Sequence, residues 1–171
     1  MDVPLDELGR RQAEALGRAE VLRDASRVVS SPLMRARETA ACFGRPVTVD
    51  ERWTEIDYGV YDGAEADSVP DLWGRWTGDL AFVPDSGESL EALGQRVREA
   101  CDELWPEAVD HDILVVTHVS PIKAAVAWAL GVGDETSWRM FVDLASVTRI
   151  GVGRSGPSLR TFNETQFRPS S

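Results

Sequence analysis

The chain has 171 residues, 43% of them hydrophobic and 27% charged, which is enough for one domain with its own core and not for two. Its 29 acidic residues outnumber 18 basic ones for a net charge of −11, which argues against a nucleic-acid partner, whose binding rests on neutralising phosphates. No apolar run approaches the ~20 residues of a membrane helix, and no signal-peptide pattern opens the sequence.

The chain order predicts alternating helices and strands. Leu5, Leu8, Leu16, Ala19 and Leu22 fall on one helical face, with Asp6 and Glu7 in the first turn. Arg27–Ser31 is a short buried strand. Ser31-Pro32 is a helix-opening pair, Ser as cap and Pro at the first position, for a helix from Pro32 to Phe43. Val47–Val49 is a further strand. From about Asp57 to Asp85 no strong period is present, although Trp73, Trp76 and Phe82 lie there. Leu90, Leu93, Val97, Ala100, Cys101 and Leu104 restore helical spacing. Ile113–Thr117 is apolar on both faces, as a central parallel strand is. Ser120-Pro121 repeats the cap signal for a helix to Leu130, and Val147–Val152 with Leu159–Phe162 form a hairpin. The expectation is a single α/β domain over residues 1–171, a three-layer sandwich around a mostly parallel sheet with an antiparallel C-terminal hairpin.

Cys42 and Cys101 lack metal-ligand spacing and are expected as small buried hydrophobes in a reducing, cytoplasmic setting. Asp62, Glu65, Asp67 and Asp71 have no His or Cys beside them and form a solvated face more readily than a metal site. No metal or other cofactor is expected.

Ligands of open α/β sheets bind at the carboxyl ends of the strands. Two junctions there are alike: one strand runs into a helix carrying Arg35, the other into His118 and a second proline-opened helix. Helix N-termini with cationic or titratable side chains make an anion site, and a phosphoryl group is the obvious guest. Taken singly, Arg35 and Arg37 are ordinary solvated helix charges and His118 a satisfied structural histidine.

As a set, the segments are more specific. Ser30-Ser31-Pro32-Leu33-Met34-Arg35-Ala36-Arg37-Glu38-Thr39-Ala40 resembles the second signature of the histidine phosphatase (phosphoglycerate mutase-like) superfamily. Glu55-Ile56-Asp57-Tyr58-Gly59-Val60-Tyr61-Asp62-Gly63 resembles its Glu-x-x-x-Gly-x-x-x-Gly segment, Gly87-Glu88-Ser89 its Gly-Glu-Ser turn, and Val115–Ser120 its second-histidine strand. Asp2–Ala13 matches the helix after the family's first loop, so the likeness runs through the whole chain in order. A flavodoxin-like binding domain explains the α/β pattern but leaves this ordered set to chance.

The resemblance implies metal-independent hydrolysis of small phosphomonoesters through a phosphohistidine. It makes Arg35 a clamp on the phosphoryl group, His118 and the Val119 N–H stabilisers of its oxygens, and Glu55 the acid to the leaving alcohol and then the base for water. Glu88 has an architectural role. Residues 57–88 form a short cap whose acidity repels polyanionic substrates. The run from Val116 to Lys123 is similar to the phosphatase halves of some bifunctional ribonuclease H proteins and to α-ribazole-phosphatase-like enzymes.

One departure is large. The family opens with an interior strand ending in Arg-His-Gly, the source of the nucleophilic histidine, and no such segment occurs here. His111, the only other histidine, precedes the Ile113–Thr117 strand at the wrong end of the sheet. The first strand is thus expected to be missing and this chain inactive or nearly so. Three explanations stay open: the sequence is a piece of a longer hydrolase, its sheet closes up or borrows a strand in a homodimer as a non-catalytic phosphate-ligand-binding module, or it retains a chemistry that these motifs do not assign.

Overall fold

The computed structural model describes residues 2–64 and 70–167, with the backbone alone for 70–73. Helices α1 (Glu7–Arg18), α2 (Met34–Ala41), α3 (Pro70–Gly78), α4 (Leu90–Ala108) and α5 (Val119–Leu130) alternate with strands β1 (Arg27–Ser30), β2 (Val47–Val49), β3 (Ile113–Val116), β4 (Val147–Gly153) and β5 (Gly156–Glu164). Strands β2, β1 and β3 pair in that order, all parallel, with Val28 opposite Val47 and Leu114. Strands β4 and β5 form a separate antiparallel hairpin. The mixed α/β class, the parallel sheet and the antiparallel end are as the sequence predicts.

Successive residues of β1 serve opposite faces of the sheet. Val29 joins the core cluster built by Leu93, Val97 and Ala100 of α4 with Ala124 and Ala125 of α5. Val28, on the other face, is equally inaccessible, and α2 packs against β1 while α1 packs on α2. Helix α1 spans a narrower contact than its period suggests: Ala13 and Leu16 are buried but Leu8 is exposed, and the helix stops at Arg18 before Leu22. Asp6 lies just outside its first turn and caps it by accepting the Gly9 N–H. Gly17 is what lets α1 and α2 meet, because a Cβ there would stand 2.3 Å from the Cys42 carbonyl oxygen.

Three local expectations are corrected. Strand β3 is not a central strand covered all round: each of Ile113–Val116 is only half-buried, because β3 is the outer member of its sheet and makes no ladder with the hairpin. The hairpin packs on α5 instead, and its Ile150 reaches the same core. Neither Ser-Pro pair caps a helix. Helix α2 starts at Met34, after Leu33, and α5 starts at Val119, one residue before Ser120. The segment without period contains α3 and a short 3-10 turn at Gly59–Tyr61, and another such turn at Glu51–Trp53 precedes it.

Candidate active site

Ser30 and Val116 are register partners, so β1 and β3 end side by side and each releases the chain into a helix. Just beyond these ends Ser31, next after β1, and His118, two residues after β3, are joined: Ser31 donates its N–H to the Val116 carbonyl at 2.9 Å, and its hydroxyl lies 2.7 Å from His118 Nε2. His118 has extended backbone and immediately precedes the first turn of α5. Its ring is buried, and burial together with the charges of Arg35 and then Arg96, against the opposing Asp2, pushes its pKa down to about 4. The imidazole is therefore neutral near pH 7.

Arg35, in the first turn of α2, is half-buried and acts electrostatically on His118, whereas Arg37 is exposed and fits a solvated helix charge. The N-terminal strap ties down the same end of the helix. Asp2 accepts the Met34 N–H at 2.7 Å, and Glu38 accepts the Leu5 N–H at 3.0 Å.

Glu55 reaches the site from the loop after β2. One carboxylate oxygen accepts the N–H of Ile56 at 2.9 Å and of Ser120 at 3.2 Å, placing the negative charge on the N-terminus of α5. Among the described residues the neighbouring N–H of Val119 has no acceptor. Burial lowers the pKa of Lys123, opposed by Glu55, and burial reinforced by Glu55 raises that of Tyr58.

The Glu55 loop is held by three elements. Thr117 donates its hydroxyl to the Trp53 carbonyl at 2.6 Å, Arg96 donates to the Arg52 carbonyl at 2.6 Å, and Glu88 donates its N–H to the Asp57 carbonyl at 2.9 Å. Arg96 also grips the Glu88 carboxylate with both arms of its fork, each 2.7 Å long. Glu88 thus touches the scaffold of Glu55. Gly59 explains the glycine of the Glu-x-x-x-Gly segment: its φ is +59°, and a Cβ there would lie 2.1 Å from the Asp85 carbonyl oxygen.

Arg35, Glu55, His118 and Val119 therefore converge on the carboxyl ends of β1 and β3. A cleft of about 410 Å3 adjoins them, shared at Glu55 and lined further by Glu51, Asp57, Glu88 and Arg96, but not by Arg35 or His118. His111 is exposed in the turn before β3, at the opposite end of that strand from His118. Trp76 is buried in the core against Tyr58, with ring centroids 4.9 Å apart, and Phe82 lies under the Arg75 guanidinium. The Trp73 and Asp71 side chains, with Glu65 and Asp67, lie outside the described residues. Cys101 is buried, with its thiol pushed up to about 12 by burial, while Cys42 is half-buried rather than fully covered. Among the described residues no three His, Cys, Asp or Glu side chains are grouped to hold a metal ion, and no helix is long and apolar enough to cross a membrane.

Sequence reasoning missed Ser31, which it cast as a helix cap, and the ties from Arg96 and Thr117. Ser31 follows a buried strand directly, and that position was the available signal.

The family described as the histidine phosphatase superfamily (branch 1) matches residues 1–165. The bifunctional protein Rv2228c of Mycobacterium tuberculosis is 36% identical over 173 residues, covering 95% of this chain but 48% of that protein, so the chain spans about half the length of this relative. Phosphoserine phosphatase 1 of Hydrogenobacter thermophilus is 30% identical over 88% of this chain and 75% of its own. Among solved structures, the mycobacterial glucosyl-3-phosphoglycerate phosphatase Rv2419c superposes with a TM-score of 0.84 at 26% identity, covering 96% of this chain and 89% of that one. With its motifs in order and its strand ends arranged around Arg35, Glu55 and His118, the chain belongs to the histidine phosphatase superfamily.

Proposed function

We propose that the site carries out phosphomonoester hydrolysis through a phosphohistidine. The observation that supports this is the convergence of a neutral His118, Arg35, the Val119 N–H and the Glu55 carboxylate on one pair of strand ends. Arg35 clamps the phosphoryl oxygens, and His118 with the Val119 N–H meets the charge that spreads over them in the transition state. In the first step a histidine nitrogen bonds to phosphorus as the ester P–O bond breaks, and Glu55 delivers a proton to the departing alkoxide. In the second step water attacks phosphorus, Glu55 takes its proton, the P–N bond breaks, and phosphate and free imidazole remain.

The nucleophile is neither histidine of this sequence. His118 is engaged with Ser31, and His111 lies at the far end of β3. Our reading is that the nucleophile arrives on a strand seated between β3 and the hairpin, so that these 171 residues alone are inactive or nearly so. A homodimer that pairs the open edge of β3 is the second reading, favoured by that same unpaired edge, and would make the chain a phosphate-ligand-binding module. We place the protein in the cytoplasm, in line with two free cysteines.

Small phosphomonoesters suit the site better than bisphosphates. Glu51, Asp57 and Glu88 line the adjoining cleft beside Glu55, and its arginine, Arg96, is already committed to Glu88. A second phosphate would meet uncompensated negative charge there.

Hydrolysis of para-nitrophenyl phosphate tests the reading. The 171 residues alone are expected to show no turnover. Turnover by the 171 residues that is abolished in His118→Ala would overturn the assignment of His118 as a stabiliser.

A further inference from the structure

Ser31 is completely buried and makes two hydrogen bonds through its hydroxyl. The oxygen accepts the Leu33 N–H at 3.3 Å and faces His118 Nε2 at 2.7 Å. A serine hydroxyl has a single proton to give, and among the described residues the acceptor within reach is that ring nitrogen. If Nε2 carried a proton and pointed it at Ser31, the serine proton would be left buried without a partner, an arrangement proteins avoid.

We propose that Ser31 is a positioning residue that donates its hydroxyl proton to His118 Nε2 and so holds the neutral ring as its Nδ1–H tautomer. This deepens the phosphoryl-site reading and rests on it. Nδ1 has no partner among the described residues, so the tautomer set by Ser31 supplies an N–H donor beside those of Arg35 and Val119. The site then offers an oxygen of a phosphoryl group three donors, with no need to protonate a buried imidazole. The low pKa of His118 accords with this, since burial already disfavours the imidazolium. The register explains why serine occupies this place. Ser31 follows the last residue of β1 and His118 comes two after the last of β3, so the ends of adjacent strands hand one residue to the other.

The sequence holds only two histidines, which makes nitrogen NMR of the full chain labelled with 15N-histidine a direct test. Exposed His111 is the internal reference. Near pH 7, His118 is expected to show a protonated Nδ1 and an unprotonated Nε2. Ser31→Ala is expected to shift it toward the Nε2–H form that prevails for free histidine, and Ser31→Thr, which restores a hydroxyl, to bring back the Nδ1–H form. An Nε2–H ring in the unmodified chain, or an Nδ1–H ring that survives in Ser31→Ala, would overturn the proposal. The spectrum of the unmodified chain decides alone should the alanine variant fail to fold. Titration of the same sample with inorganic phosphate separates the two readings: an Nδ1–H ring in a chain that does not bind phosphate upholds Ser31 as tautomer-setting and removes the phosphoryl site.

Discussion

Gly59 and Gly87 meet back to back: a Cβ on the first would lie 2.8 Å from the N of Gly87, and a Cβ on the second 3.1 Å from the N of Gly59. This contact joins the Glu55 segment to the Gly-Glu-Ser turn, reinforced by the Val60 N–H on the Asp85 carbonyl and the Glu88 N–H on the Asp57 carbonyl. Two motifs far apart in the sequence are thus one structural unit.

Gly59→Ala therefore meets both a left-handed backbone and the Asp85 carbonyl. The expected loss is about 2–4 kcal/mol in denaturant unfolding. Gly44→Ala is the control, since Gly44 has a similar φ of +65° but open space around its Cβ position. A smaller loss at Gly59 than at Gly44 would contradict the stitching role.

Arg96 spans the same region from the α4 side, touching both Glu88 and the Arg52 carbonyl. Arg96→Lys keeps the charge but loses the fork, with an expected cost of about 1–2 kcal/mol, and Arg96→Ala is expected to cost more because it strands a half-buried carboxylate. Both variants are expected to move the amide signal of Ser120, which reports the hydrogen bond to Glu55. A Ser120 amide unchanged in Arg96→Ala would separate Arg96 from the placement of Glu55.

Stability is expected to carry a His118 signature. Its pKa falls from an ordinary 6.5 to about 4 on folding, so between those values the unfolded chain binds a proton that the folded one refuses. Lowering the pH through that window favours unfolding by up to about 3 kcal/mol from this residue. Denaturation of the parent and of His118→Gln at pH 7 and pH 4 isolates the effect, because the other titrating groups are common to both. The advantage of the parent is expected to shrink on acidification, and a pH-independent difference would contradict the buried, neutral ring.

On the far side of α4, Gly94 makes room for the buried carboxylate of Asp134, 2.3 Å from where a Cβ would stand, and Arg98 pairs with that carboxylate at 2.7 Å. Arg98→Met leaves Asp134 without its cation, at an expected cost on the order of 2 kcal/mol. The double variant Arg98→Met, Asp134→Asn is expected to recover part of that loss in thermal unfolding. No recovery would contradict the pairing as the source of the cost.

Much of this was legible in the sequence because local signals and chemistry coincided. The apolar period of α4, the turn residues of the hairpin and the short run Val28-Val29 identify their elements by patterning alone. Arg35, Glu55 and His118 are singled out by motif resemblance; Arg35 and His118 follow strand ends, whereas Glu55 comes in on the loop after β2. What escaped depended on partners distant in sequence. Ser31 has the chemistry of a helix cap, but His118, 87 residues away, takes its hydroxyl. Strand β3 has the composition of a central strand, which describes the helices above and below it and carries no information about its lateral neighbour. The run from Asp57 to Asp85 hides its order because glycine contacts and backbone hydrogen bonds, not apolar period, hold the ends of it in place.

The central claim is that the ends of β1 and β3 form a phosphoryl site, and amide NMR during titration with inorganic phosphate tests it most directly. A saturable shift of the Val119 amide and of the His118 ring, lost in Arg35→Ala, is the expected result. Absence of saturation, or a shift that persists without Arg35, would contradict the account.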